Sequence, residues 1–177
     1  MDEIRGEGLV LDNTYSPEDL PVLAQLQNEG VVKEFSPVAC HVRLHKVAQL
    51  IEVNGSAEVT VRMECSRCLE EHWDEIKVEF HQSYVEQLPE VKDEDGSEVE
   101  LSAEQMGLEI FDGEAIDLCD EIQQQIVLAL PQRPLCSKKC KGLCSACGAN
   151  LNTGECSCSD GNISIHFAAL RDFKVEK

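Results

Sequence analysis

Ten cysteines are the residues of this sequence with the most specific chemistry, and eight of them occur as close pairs. One to three residues separate the members of each pair: Cys65 and Cys68, Cys136 and Cys140, Cys144 and Cys147, and Cys156 and Cys158. Two thiolates this close can hold one tetrahedral metal ion, whereas a disulfide across so few residues is strained or redox-active. The spacing therefore predicts structural zinc.

The last six of these cysteines lie between residues 136 and 158, in a polar segment that cannot fold by hydrophobic burial alone. The stretch Cys144-Ser145-Ala146-Cys147-Gly148 has the form of a zinc knuckle. In a knuckle, backbone N–H groups point at the two sulfurs, and glycine permits the positive φ that closes the turn. Cys156 and Cys158 are the expected second half of that site.

This pairing leaves Cys136 and Cys140, which need two more thiolates to complete a tetrahedron. We expect Cys65 and Cys68 to supply them, in a site that joins distant parts of the chain and so removes chain entropy. The prediction is two zinc ions per chain, held by Cys65, Cys68, Cys136, Cys140, Cys144, Cys147, Cys156 and Cys158.

Two alternative interpretations remain open. One places residues 136, 140, 144 and 147 on a single ion, which predicts one zinc and leaves Cys65 and Cys68 free or weakly oxidised. The other makes Cys65 and Cys68 a redox dithiol, because the adjacent Arg67 would lower a thiol pKa. The residues that follow Cys68 favour a strand, which does not fit the helix of a thioredoxin-like motif. His166 lies nearest to the tail cysteines and could replace one thiolate.

A period of two in hydrophobicity predicts the strands that position Cys65 and Cys68. Val38–Val53 is expected to form one strand, and Asn54-Gly55 a hairpin turn, because both residues adopt positive φ readily. A third strand is expected from Ile76 to Tyr84. The return strand between them has apolar residues at alternate positions: Ala57, Val59, Val61, Met63 and Cys65. The strand histidines fall among polar neighbours, as solvated histidines do: His41, His45 and His81.

Other segments are predicted from their breakers and caps. Ser16-Pro17 followed by two acids marks the start of a helix. Residues 88–105 lack periodicity and are rich in acids, which predicts a solvated or disordered loop. Asp117 is a good N-cap for a helix that ends at Pro131, with an apolar stripe that contains Cys119 as a small buried hydrophobe.

These elements predict an α+β fold: an antiparallel sheet of three to five strands, open or curled toward a barrel, crossed by the 117–130 helix. We expect a core domain over residues 1–130 and a C-terminal zinc-binding module over residues 131–177. The N-terminus carries no basic stretch followed by an apolar segment, and no apolar run reaches the roughly 18 residues that span a bilayer. A cytoplasmic protein without membrane contact is therefore expected.

The cysteine strings carry a family resemblance. The segment Pro134–Asn152, followed by Cys156-Ser157-Cys158, and the central Cys65-Ser66-Arg67-Cys68-Leu69-Glu70 resemble the YceD family, the large ribosomal RNA subunit accumulation proteins of bacteria and plastids. The resemblance implies a role in the processing or accumulation of precursor 23S rRNA in large-subunit ribosome biogenesis. It supplies no catalytic residue. The residues themselves show no Gly-rich phosphate loop, no His-Glu-x-x-His and no open metal position, so a non-enzymatic factor is expected.

Charge limits the expected partners. The formal net charge of −19 repels phosphate backbones, so the protein is not expected to coat nucleic acid generally, and a basic ribosomal protein or a precursor particle is a more natural partner. Yet four cations lie within nine residues: Arg133, Lys138, Lys139 and Lys141. The three lysines either offset the negative charge of zinc-bound thiolates or contact RNA directly.

Overall fold

The computed structural model describes residues 8–89, 91–92, 98–99, 101–112 and 115–158. Eight strands and three α-helices lie in these ranges. The strands are β1 (Leu9–Tyr15), β2 (Glu34–Phe35), β3 (Val38–Val47), β4 (Leu50–Glu64), β5 (Glu71–Val85), β6 (Val91–Lys92), β7 (Glu98–Val99) and β8 (Glu109–Ile110). The α-helices are α1 (Pro21–Asn28), α2 (Ala103–Met106) and α3 (Leu118–Ala129), and a 3₁₀ turn covers Pro17–Asp19.

The main sheet has the strand order β1-β3-β4-β5-β8, and β2 adds to it by pairing with β4. The β1–β3, β2–β4 and β3–β4 pairs are antiparallel, whereas β8 pairs in parallel with β5. The predicted α+β class is confirmed. Of the two sheet forms expected, the open one is found in the described residues, because the strand path ends at β1 and β8 without closure. The expected antiparallel sheet of three to five strands is wrong in two respects: six strands form the sheet, and β8 pairs in parallel.

The turn between β3 and β4 lies six residues before the predicted one. Val47 pairs with Leu50, so Ala48 and Gln49 form the turn, with Ala48 at φ 55°. Asn54-Gly55 lies inside β4, and the single strand predicted over Val38–Val53 is two strands. The reason is packing: a Cβ on Gly55 would lie 2.2 Å from Cζ of Phe80, so glycine is needed here to admit an aromatic ring.

The core forms where the alternating strands meet α1 and α3. The predicted apolar positions of β4 are buried, as are Ile76, Phe80 and Tyr84 of β5. Ile122 and Ile126 of α3 are fully buried in the same cluster, and burial of each such side chain stabilises the fold by about 1.5–3 kcal/mol.

The ends of α1 and α3 show how these helices are fixed. Asp117 caps α3 as predicted, accepting hydrogen bonds from the N–H groups of Cys119 (3.0 Å) and Asp120 (3.2 Å). Cys119 packs partly buried against the core. The Ser16-Pro17 start is confirmed as a 3₁₀ turn that leads into α1. The side chain of Gln123 on α3 accepts the N–H of Val22 in the first turn of α1 (3.0 Å).

The acidic segment 88–105 is more ordered than predicted. Its β6 and β7 pair antiparallel, and α2 begins within it at a Ser102 capping box closed by Gln105. Of the predicted alternatives, a solvated or a disordered loop, disorder is therefore wrong for the part that is described. The short-range turn and cap that form here need no apolar periodicity.

Two compact units divide the chain. The first contains Met1–Met63 and Trp73–Gln132, and the second contains Glu64–His72 and Arg133–Lys177. The predicted domain boundary between residues 130 and 131 stays a prediction. None of the described helices is both long and apolar enough to cross a lipid bilayer.

Candidate metal centre

Two loops of the second unit share one backbone design. In the first knuckle loop, residues 65–70, the N–H of Leu69 donates to the carbonyl of Cys65 (2.9 Å) and the N–H of Cys65 donates to the carbonyl of Glu70 (2.9 Å). In the second knuckle loop, residues 144–149, Gly148 donates to Cys144 and Cys144 to Ala149 at the same relative positions, both at 2.8 Å. Both loops therefore hold their two cysteines in the same local geometry.

The residue that closes each knuckle loop has positive φ. Gly148 has φ 74° and Leu69 has φ 62°. A leucine in this conformation costs roughly 1–2 kcal/mol, because Cβ approaches the neighbouring carbonyl oxygen. The sequence of the second loop therefore shows the glycine that a positive φ favours. The first loop has leucine at the same position, so its sequence does not indicate the turn.

The first cysteine group consists of Cys65, Cys68, Cys136 and Cys140, whose sulfurs all lie within 4.8 Å of one another. Sγ of Cys65 lies 3.8 Å from Sγ of Cys140, and Sγ of Cys68 lies 3.6 Å from Sγ of Cys136. Four sulfurs bound at about 2.3 Å to a central zinc lie about 3.8 Å apart along each edge of the tetrahedron. The group therefore has the dimensions of a tetrathiolate site, and its sulfurs are too far apart for disulfides.

Hydrogen bonds fasten the first knuckle loop to the segment that carries Cys136 and Cys140. The backbone N–H and the hydroxyl of Ser66 both donate to the carbonyl of Pro134, at 2.9 and 2.7 Å. Nη1 of Arg67 donates to the carbonyl of Cys140 (2.9 Å), and the carbonyl of Arg67 accepts the N–H of Leu143 (3.1 Å). These bonds fix the two cysteine pairs in register, and none of them involves a cysteine sulfur.

Burial makes the first group inaccessible at three of its four sulfurs. The exposed fractions of Cys65, Cys68 and Cys140 are 0%, 3% and 4%, while Cys136 is exposed. Burial raises the pKa of Cys65, but N–H donation from Cys136, Cys68 and Arg67 outweighs it and lowers the pKa to about 6. Hydrogen bonding with Cys68, together with burial, raises the pKa of Cys136 to about 12. Four thiols this close cannot all ionise unless a cation offsets their charge.

The second cysteine group consists of Cys144, Cys147, Cys156 and Cys158, again with all sulfurs within 4.8 Å of one another. N–H donation from Cys147 and Ala146 lowers the pKa of Cys144 to about 6. Hydrogen bonding and repulsion from Cys147 raise the pKa of Cys158 to about 12. The same conflict between neighbouring thiolates therefore exists in both groups, and a divalent cation is the group that resolves it.

The structure brings the eight predicted ligands together in the same two groups of four that the prediction of two zinc ions requires. Residues 136 and 140 lie in one group and residues 144 and 147 in the other. Each group offers four thiolates, the donor set of closed structural zinc sites, in which no position is left for water. Both groups can hold a metal ion. His166 lies outside the described residues.

Two outer residues of the first group were missed by sequence reasoning. Nδ2 of Asn152 donates to Sγ of Cys140 (3.3 Å), and the guanidinium of Arg67 donates to the carbonyl of Cys140. Arg67 was considered only as a neighbour that could lower a thiol pKa. The sequence offers one indication that Asn152 belongs to the site: it lies between the two cysteine pairs of the second group, in a stretch with two asparagines.

The predicted cationic side chains lie at the surface of the second unit. Lys138, Lys139 and Lys141 are exposed, as is Arg133. Lys138 and Lys139 lie in the loop between Cys136 and Cys140, and Lys141 follows Cys140 directly. Their charged ends take part in no ion pair within the described part of the chain.

Two of the strand histidines line a cavity of about 420 Å³ in the first unit. His41 lies 2.6 Å from Oδ1 of Asp12, and His81 lies 2.7 Å from Oδ1 of Asn54, in each case through Nδ1. Arg43 lines the same cavity. Both histidines are exposed, in agreement with the solvated histidines that the sequence predicted.

Comparisons with known proteins match most of the chain. The sequence model of the family described as "Large ribosomal RNA subunit accumulation protein YceD" matches residues 53–174, which include both cysteine groups. An uncharacterized protein of Mycobacterium leprae (strain TN) is 29% identical over 133 residues, covering 75% of this chain and 58% of that protein. The chloroplastic Large ribosomal RNA subunit accumulation protein YCED homolog 1 of Zea mays is 26% identical over 148 residues, covering 72% of this chain and 50% of that protein.

The chain thus spans about half the length of these curated relatives. No solved structure matches it.

Proposed function

The chain belongs to the YceD family, as its cysteine strings predicted, and from this premise we propose that it is a non-enzymatic factor in large-subunit ribosome biogenesis. In this role it supports the processing or accumulation of precursor 23S rRNA. The name of the Zea mays relative, which refers to accumulation of the large ribosomal RNA subunit, supports the same role.

The observation that carries the mechanism is the pair of four-sulfur groups in one compact unit. We propose that each group holds one Zn²⁺ through its four thiolates. Zinc would supply charge neutralisation and a fixed tetrahedral geometry, and its binding free energy is folding free energy for so small a module. Because four cysteines close the coordination sphere, the ions have no position for a substrate or a water nucleophile.

The binding surface of this module is proposed to be the lysine segment, Lys138, Lys139 and Lys141. These side chains sit on or beside the ligand loop of the first group and extend into solvent without ion-pair partners among the described residues. A rigid loop that presents three cations can contact phosphates of precursor RNA, although the rest of the chain is acidic. The competing role, neutralisation of the zinc-thiolate charge, predicts no partner contact.

The test is recovery of large-subunit precursors with the protein from cells at low salt. Replacement of the three lysines by Gln is expected to weaken recovery most at low salt and to make recovery less sensitive to salt, while zinc content stays unchanged. A matched control replaces Lys33, Lys46 and Lys77 of the first unit by Gln, which makes the same change in net charge. Equal loss in both variants would attribute the effect to charge alone.

A second outcome distinguishes RNA from protein partners. If recovery survives the triple lysine change but is lost when the acids of residues 90–100 are replaced by amides, the contact is with a basic ribosomal protein. Direct RNA binding is then excluded, and the role in ribosome biogenesis stands. If neither variant changes recovery, both proposed contact surfaces are wrong.

A zinc-dependent redox or thiol-exchange function of Cys65 and Cys68 is the alternative. The lowered pKa of Cys65 favours it, since a thiolate is the attacking species. The burial of both sulfurs opposes it, because exchange needs access to the attacking and the attacked sulfur. Free-thiol titration separates the two functions: a redox dithiol reacts in the zinc-loaded protein, whereas structural thiols react only after chelation.

A further inference from the structure

One residue of the segment that links the two cysteine pairs of the second group contacts a ligand of the first group. Asn152 lies between Cys147 and Cys156, and its Nδ2 donates to Sγ of Cys140 at 3.3 Å. Its Oδ1 accepts the N–H of Lys141 (2.8 Å), the residue after Cys140. The Asn152 side chain therefore hydrogen-bonds both to Sγ of Cys140 and to the backbone N–H of the residue that follows it.

The backbone between the two groups is held from both sides. Only three residues separate Cys140 from Cys144. On one side the carbonyl of Arg67 accepts the N–H of Leu143 (3.1 Å), and on the other the carbonyl of Gly142 accepts the N–H of Leu151 (2.9 Å). Leu143 also forms an isolated antiparallel bridge with Asn150. The position of residues 149–152 is thus linked to the position of Cys140.

Asn152 is in turn oriented by its own loop. Its Nδ2 and its backbone N–H both lie 2.9 Å from Oδ1 of Asn150. These contacts exist only when residues 150–152 take their turn conformation, and that turn lies inside the loop closed by the two cysteine pairs of the second group. Closing that loop around a metal ion would therefore present the Asn152 amide in the geometry that Cys140 needs.

We propose that Asn152 is a positioning residue that couples the two metal sites, so that metal in the second cysteine group strengthens metal binding by the first. This inference rests on the zinc binding proposed above. An N–H donor to a ligating thiolate stabilises its negative charge and fixes its lone-pair direction. Because the donor belongs to the loop of the second site, metal binding at each site changes the free energy of binding at the other. The coupling is therefore reciprocal.

The test uses the Asn152→Asp variant of the full chain. Aspartate keeps an oxygen that can accept the Lys141 N–H but replaces the donor to Cys140 with a second oxygen. Loss of such an outer contact lowers metal affinity by about 10- to 100-fold. Glu155→Gln is the control for a side-chain change in the same segment, since Glu155 is an exposed residue with no contact to a cysteine sulfur in the described structure.

Two measurements are made on zinc-loaded protein: competition with a chromophoric chelator, and alkylation of the released thiols located by mass spectrometry. The expected result for Asn152→Asp is faster exposure of Cys140 and weaker zinc at the first group and, because the coupling is reciprocal, weaker protection of Cys144 in the fully loaded chain as well. Glu155→Gln is expected to behave as the unmodified chain does.

The coupling is tested from the other side with Cys158→Ser, which removes a ligand of the second group only. We expect this change to weaken zinc at the first group as well, and to do so less when Asn152→Asp is already present. Independent effects of the two changes on the first group overturn the coupling but leave two-site zinc binding intact. A chain that binds no zinc overturns both proposals.

Discussion

Gly142 offers a quantitative test of how the first cysteine group is built. Its φ is 76°, and a Cβ added there would lie 3.1 Å from the carbonyl oxygen of Arg67. That oxygen accepts the N–H of Leu143 at 3.1 Å, so it cannot move away without loss of this hydrogen bond. Gly142→Ala therefore combines backbone strain with a steric cost.

Gly148 provides the matched comparison. Its φ is 74°, nearly that of Gly142, but no atom lies within 4 Å of an added Cβ. Gly148→Ala therefore carries the backbone cost alone, about 1–2 kcal/mol, less roughly 0.4–1 kcal/mol for the reduced freedom of the unfolded chain. A net loss of about 1 kcal/mol corresponds to roughly fivefold weaker zinc at the second group.

For Gly142→Ala the weakened Leu143 hydrogen bond adds about 1 kcal/mol, for a total of about 2 kcal/mol, or roughly 25-fold weaker zinc at the first group. The assay is chelator competition on the zinc-loaded chain, with alkylation to assign each loss to its site. The reasoning is refuted if Gly142→Ala weakens the first group no more than Gly148→Ala weakens the second, or if the loss falls on the other site.

Three further outcomes are expected. Elemental analysis of protein purified without a polyhistidine tag should give two zinc ions per chain and one after Cys65→Ser; a single ion that survives this change would favour the alternative in which residues 136, 140, 144 and 147 hold one ion. In metal-free protein that retains the folded second knuckle loop, the depressed pKa of Cys144 means that its thiolate persists as pH falls from 9 to about 6, so Cys144 should alkylate at pH 7, whereas Cys158, with a pKa of about 12, should not. Equal rates at pH 7 would contradict this assignment. Gly55→Ala should destabilise the first unit by about 1–3 kcal/mol in denaturant unfolding, because its Cβ would overlap the Phe80 ring; most of this effect should vanish in a Phe80→Leu background.

The strands and α3 were predictable because their burial follows one period each. β4 alternates from Ile51 to Met63, and α3 buries Ile122 and Ile126 one turn apart. The hairpin was misplaced because Asn-Gly is a strong local turn signal, whereas the need for glycine opposite Phe80 is a tertiary constraint that local propensity cannot express. The ordered turn at Ala48, a residue with no preference for positive φ, gave no signal at all.

The candidate site was predictable in composition and not in its supporting contacts. Thiol counting and tetrahedral valence were enough to pair Cys65 and Cys68 with Cys136 and Cys140, although the pairs are far apart in sequence. The roles of Arg67 and Asn152 depend on which carbonyl or sulfur the folded loops bring within hydrogen-bond distance. A side chain that can hydrogen-bond to many different groups shows no fixed sequence spacing from its partner. These contacts are therefore visible only in the folded structure.

The conformation and exposure of Leu69 favour a role for metal in determining the geometry of the first knuckle loop. Leucine is a poor choice for φ 62°, and with 56% of its surface exposed it gains little from burial. The φ preference of leucine therefore opposes the loop, whereas the backbone hydrogen bonds within it, the hydrogen bonds to the 134–143 segment and the closure of the four sulfurs favour it. A bound zinc ion would supply the missing stabilisation. The lysine segment, which belongs to the same ligand loop, would then hold its shape only in the metal-loaded protein, so any partner contact through Lys138 and Lys139 should be lost on chelation.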